Sequence, residues 1–162
     1  MTRERWKDVL EGIGFVAIIA SLIFVGIETR NSTKQAILTT QALEMAAYQD
    51  LIDNILDMNM VIAQDPDAAA LMYKAWRTRE PLTDLEEFRF SRAAFQRLRH
   101  GDMAYFQYER GAIDEDRLRS VLNVLNLSEP RMKEFWMSNQ DKFVPAYRNY
   151  LNRMMDETKS PR

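Results

Sequence analysis

The chain has 162 residues, of which 46% are hydrophobic and 28% charged, proportions that fit one folded domain and exclude a disordered chain. A net charge of −2 gives no bulk attraction to nucleic acid, so no nucleic-acid partner is expected. With no Cys and one His, disulfides, thiolate metal sites, Cys nucleophiles and multi-His metal centres are excluded.

Residues 12–27 read GIGFVAIIASLIFVGI, sixteen positions without a charged or amide side chain. With Val9 and Leu10 the stretch approaches the ~20 helical residues that a bilayer core of ~30 Å requires. Glu11 and Glu28 then mark the two interfaces, and Trp6 stands just outside, where an amphipathic ring favours the headgroup level. A cleaved secretory signal would need an Ala-x-Ala-like site after the run, but Glu28-Thr29-Arg30-Asn31 follows. A buried core helix would carry a polar face, and this run has none. The expectation is an uncleaved single-pass anchor over residues 1–30. Arg3, Arg5 and Lys7 precede the run, against Arg30 and Lys34 after it. By the positive-inside rule the N-terminus is cytoplasmic and the body lies on the outer side. Gly14, Ala17 and Ser21 share one face, narrow enough for close contact with another membrane helix.

Residues 31–64 contain no Pro or Gly, so the helix is expected to continue as a stalk packing on or leading to the body. Leu38, Met45 and Ile52 recur every seven residues, with Tyr48, Ile55 and Ile62 offset by three. This is the stripe of a coiled-coil-like seam or a bundle face. Asn31-Ser32-Thr33 is the expected kink, because these side chains compete for backbone hydrogen bonds.

The body is expected over 65–157. Asp65-Pro66 ends the stalk and opens a short helix over 68–76, which Arg79-Glu80-Pro81 breaks. Thr83 and Glu86 form a capping box for a helix running to Gly111, with Phe88, Phe95, Leu98, Tyr105 and Phe106 expected on its buried side. Asp114 caps a helix with the apolar stripe Leu118, Val121, Leu122 and Leu125. Ser128-Glu129-Pro130 and Pro145 open two more helices, and 158–162 reads as a disordered tail. No useful period-2 alternation occurs. The fold class is therefore all-α: an N-terminal transmembrane helix continuing into a long helix, then a compact body of about five helices.

Chemistry is sparse. His100 shares its face with Gln96, Arg97, Met103 and Ala104, none a carboxylate, and reads as a surface or packing residue. The Glu-x-x-His pairs of a di-iron bundle need a second His. Asp102 and Glu109 flank Tyr105 and Phe106, where carboxylates beside aromatic rings acquire raised pKa values, but pairing with Arg99 or Arg110 is the expected role. Arg89, Arg92 and Arg99, with Arg97 and His100 beside them, form a basic stripe expected to be a solvated face. The sequence 103–108 is dense in Met and aromatic residues, a candidate lining for an apolar pocket but more ordinarily core. No phosphate-cradling glycine loop or Gly-x-Ser-x-Gly elbow occurs. No catalytic, cofactor-binding or metal-ligating residue is assigned, and no cofactor is expected. His100, Asp102, Tyr105, Phe106 and Glu109 remain as pocket candidates.

Ile13 to Gln41, with Leu22-Ile23-Phe24 and Glu28-Thr29-Arg30-Asn31, resembles the start of a widespread group of short uncharacterised bacterial proteins. Phe106-Gln107-Tyr108 ahead of Gly111, and Phe135-Trp136 ahead of Phe143 and Tyr147, are similar to that group's distal pattern. The resemblance implies a single-pass protein of the bacterial inner membrane with a helical body, here on the periplasmic side, and carries over no activity. The expected function is a membrane-anchored, non-enzymatic interaction protein, an accessory subunit or homo-oligomer. The alternative is a helical ligand-binding or sensory bundle for an apolar or anionic small molecule. An enzyme is the weakest of the three readings. Partners expected are the membrane and a protein, either another chain or a second copy.

Overall fold

The computed structural model describes residues 3–78 and 80–157, with the side chains of 3–5 and 7–10 outside that description. Among the described residues there are six α-helices: α1 (Arg3–Gln64), α2 (Pro66–Tyr73), α3 (Asp84–Glu109), α4 (Glu115–Asn123), α5 (Pro130–Asn139) and α6 (Pro145–Glu157). A π-helical turn, Lys74–Thr78, follows α2 directly, and a 3-10 turn, Gln140–Lys142, follows α5. No strand occurs among the described residues, and the long apolar N-terminal helix runs on into a compact helical body. The expected tail at 158–162 lies outside the described residues, as does Arg79.

Two compact units meet within α1, one ending at Leu43 and the other beginning at Glu44. The compact body therefore starts inside the segment read as a stalk. In the first unit α1 is long and apolar enough to cross a membrane, and every residue from 11 to 46 is exposed. The helix continues through Asn31-Ser32-Thr33. Neighbouring hydroxyls bond back along it, Thr29 Oγ1 to the Val25 carbonyl at 2.8 Å and Thr33 Oγ1 to that of Thr29 at 2.9 Å. Those bonds satisfy the hydroxyls without diverting an amide from the helical ladder.

In the second unit the helices start where local chemistry directs. Asp65 accepts from the amides of Asp67 and Ala68, and Pro66 occupies the first helical turn. Asp114 accepts from the Arg117 amide at 2.8 Å. At the end of α3 the Ala112 amide reaches the Gln107 carbonyl and the Gly111 amide reaches that of Tyr108, both at 2.9 Å. That is a Schellman closure, and it requires the left-handed φ of +74° that Gly111 adopts.

The capping box that opens α3 has a third member. Thr83 Oγ1 accepts from the Glu86 amide at 3.3 Å, and Glu86 Oε2 accepts from the Thr83 amide at 2.7 Å. The Lys74 ammonium, from the π-helical turn, donates to the same carboxylate at 2.8 Å. Lys74 and the Thr83 amide together hold the Glu86 carboxyl down to about 2, from an ordinary value of 4.5. A depressed folded-state pKa stabilises above the unfolded value and loses that contribution as pH falls through the folded one. The stability advantage of wild type over Glu86→Gln should therefore be full above about pH 5 and vanish as pH falls from 4.5 towards about 2. Urea titrations at stepped pH measure it; a difference independent of pH would contradict this pairing.

The core of the body forms around Trp136 and Tyr147, both fully buried, with Phe90, Leu98, Leu118, Leu122 and Leu151. From α1 it takes Leu51, with Tyr48 and Ile55 packed at its edge. Helix α3 packs on α4, α5 and α6 and buries Phe90, Ala94, Arg97, Leu98, Gly101, Ala104 and Tyr105. This corrects the expected phase. Phe88 and Phe106 are 60% and 50% exposed, with the guanidiniums of Arg92 and Arg110 lying over their rings at 5.5 and 5.2 Å. Those cations give each exposed ring a favourable partner on its own helix, so neither needs the core.

Candidate functional site

The five pocket candidates do not converge. Asp102 pairs with Arg99 at 2.9 Å, and Arg99 also donates to the Lys142 carbonyl at 3.0 Å and lies over the Phe143 ring at 4.4 Å. Asp102 thus orients an arginine that fastens α3 to the turn before α6. Tyr105 is buried among Tyr108, Tyr147 and Tyr150, with ring centroids 5.2–6.1 Å apart. Burial, followed by the neighbouring Glu109, raises its hydroxyl pKa. Phe106 and Glu109 are exposed. His100 is half-buried, its pKa lowered by burial, and its Nε2 lacks a hydrogen-bond partner. A cavity of about 370 Å³ borders Tyr105, with Tyr108, Glu115, Arg119 and Tyr150 among its other walls, and none of the remaining four candidates lines it.

The expected interface residues divide between the two units. Gly14, Ala17 and Ser21 are exposed, and a Cβ built on Gly14 meets nothing within 4 Å. Leu38 and Met45 are 55% and 62% exposed. Ile52 is half-buried, while its neighbour Leu51 is 1% exposed. The heptad seam therefore does not continue as one surface: Leu38 and Met45 are open, and Ile52 lies on the shoulder of the body's own packing stripe, Tyr48, Leu51 and Ile55.

A cavity of about 440 Å³ was not anticipated. It opens between the C-terminal end of α1, one face of α2 and the stretch of α3 from Arg89 to Arg97. Its apolar wall includes Met58, Val61, Ile62, Leu71 and Met72, and Arg89, Gln96 and Arg97 line it from α3. Arg97 is only 6% exposed. Its guanidinium lies over the Trp76 ring at 4.9 Å, and its Nη1 donates to the Val124 carbonyl at a long 3.4 Å. No carboxylate of the described residues comes within ion-pair distance of it. Burial lowers its pKa. The π-helical turn carries Trp76, whose Nε1 is buried without an acceptor.

The basic stripe read as a solvated face is thus wrong at Arg97. The signal was a matter of phase: position 97 belongs to the series 90, 94, 97/98, 101 and 104/105 that faces inward. No family model, curated protein or solved structure matches this chain.

Proposed function

We propose that this is a single-pass, membrane-anchored, non-enzymatic interaction protein that self-associates through α1. The observation that carries the reading is the uncovered apolar segment. Ten large apolar side chains between Ile13 and Ile27 are 42–68% exposed around the whole helix. Fully burying such a side chain gains roughly 1.5–3 kcal/mol, so covering what remains exposed of ten of them is comparable with the entire stability of an ordinary domain, about 5–15 kcal/mol. A lipid core supplies that environment, and the backbone needs no other partner because α1 satisfies its own amides. The resemblance to short bacterial single-pass proteins supports the inner membrane as the site. The three N-terminal cations, whose side chains lie outside the described residues, support a body on the periplasmic face. Protease added to intact spheroplasts then removes the body; protection until lysis reverses the orientation.

Within the membrane, Gly14, Ala17 and Ser21 offer a close-approach face, and beyond it Leu38 and Met45 remain exposed on the same helix. Association in lipid gains from packing rather than from hydrophobicity, so a larger apolar residue should weaken it. Ala17→Leu and Met45→Asp are each expected to reduce dimer at fixed protein-to-lipid ratio by about tenfold, ~1.4 kcal/mol, while insertion and helicity stay unchanged. Fluorescence transfer between labelled copies measures it. Wild-type transfer in both variants would reject self-association.

A further inference from the structure

The buried guanidinium of Arg97 has no structural use equal to its cost. Burying a cation costs several kcal/mol unless a carboxylate or several hydrogen bonds compensate. Arg97 has one long bond to a carbonyl and a ring contact. Trp76, over whose ring the guanidinium lies, sits on a π-helical turn, a rare geometry that concentrates at functional sites. Arg97 is among the residues lining this cavity, and a carboxylate is the group that a guanidinium matches in two parallel bonds.

The rest of the lining narrows the ligand. Asp57, Asp65 and Asp67 line the same cavity as Arg89 and Arg97, so each negative charge on a ligand beyond the one paired with Arg97 adds repulsion, which favours a single carboxylate over a polyanion. The methionine and aliphatic wall favours an apolar body, and Met accommodates bodies of irregular shape. We propose that the groove between α1, α2 and α3 binds a small amphipathic monocarboxylate, its carboxylate on Arg97 and its apolar body against Met58, Ile62 and Leu71. This site is independent of the membrane-anchored association described above.

Decanoate is the probe, titrated calorimetrically into the full chain in zwitterionic nanodiscs, with empty nanodiscs subtracted. Saturable one-to-one binding is expected. Arg97→Met, which keeps the volume and removes the charge, should weaken it roughly 10- to 100-fold, the factor that a hydrogen bond to a charged group contributes. The same variant without ligand should be as stable as wild type or more so, because an apolar side chain replaces an uncompensated buried charge. A residue needed structurally would show the opposite. Ala93→Phe fills the cavity from α3 and should weaken binding without touching Arg97. Decanol, which lacks the charge, and inorganic phosphate, which lacks the body, should each bind more weakly than decanoate. The proposal is overturned by an absence of saturable binding, by phosphate binding more tightly than decanoate, or by binding that both variants leave within about threefold of wild type. Should Arg97→Met fail to fold, Ala93→Phe decides alone, and unchanged binding overturns it.

Discussion

Trp136→Ala is expected to cost the body about 4–5 kcal/mol, the upper range for removing a buried aromatic side chain. Trp136 is fully buried, with Phe143 at 5.4 Å and Tyr147 at 5.9 Å between ring centroids. Its Nε1 donates to Asn152 Oδ1 at 2.8 Å, and Asn152 Nδ2 donates on to Gln140 Oε1 at 2.9 Å. The ring therefore joins α5 to α6 through packing and a polar chain together. Trp136→Phe keeps most of the packing and loses the bond, so it should cost about 1–3 kcal/mol, the penalty for a buried polar group left without its partner. Urea unfolding followed by circular dichroism ranks the three proteins. A Trp136→Ala loss under about 1 kcal/mol would mean the core does not centre on this ring.

Gly101→Ala is expected to destabilise by about 2–4 kcal/mol, against the gain of up to ~1 kcal/mol that Ala brings at an open helical position. A Cβ at Gly101 overlaps Tyr147 Oη and presses on methyls of Leu122 and Leu125 at 3.1 Å. Tyr147 cannot withdraw freely, since its hydroxyl donates to the Leu98 carbonyl at 3.2 Å in the buried core. The glycine is therefore what lets α3 approach α4 and α6 so closely. The test is a double-mutant cycle, because Tyr147→Phe removes the overlapping oxygen. Gly101→Ala should cost less in the Tyr147→Phe background than in wild type. Equal costs would place the strain in the leucine contacts instead. No neighbour lies within 4 Å of a Cβ at Gly12, Gly14 or Gly26, so those positions carry no such penalty within the chain.

Both substitutions act in the body, and neither should affect insertion of α1. The body is held by interhelical packing around Trp136 and Tyr147, whereas the apolar surface of α1 over residues 13–27 is covered by no other part of the chain among the described residues.

Much of this architecture could be read directly from residue order. Asp65-Pro66, Thr83 with Glu86, Gly111, Asp114 and Pro145 bound the helices where expected, because a cap forms between groups at most five positions apart. The apolar run of residues 12–27 was equally legible, since composition alone makes it long and uncharged enough to cross a bilayer. The apolar stripe Leu118, Val121, Leu122 and Leu125 is buried as expected, and what escaped was the rotation of α3 about its axis. Phe88 and Phe106 count as apolar in any pattern, yet Arg92 and Arg110 cover them, while Gly101 and Ala104 are buried because α3 makes close interhelical contacts. Arg97 reads as one more surface cation until Trp76 and the Val124 carbonyl, 27 positions away, close around it. A local signal can order a turn before anything else has folded. The burial of a charge, the shape of a cavity and the phase of an amphipathic helix exist only once distant segments are packed together.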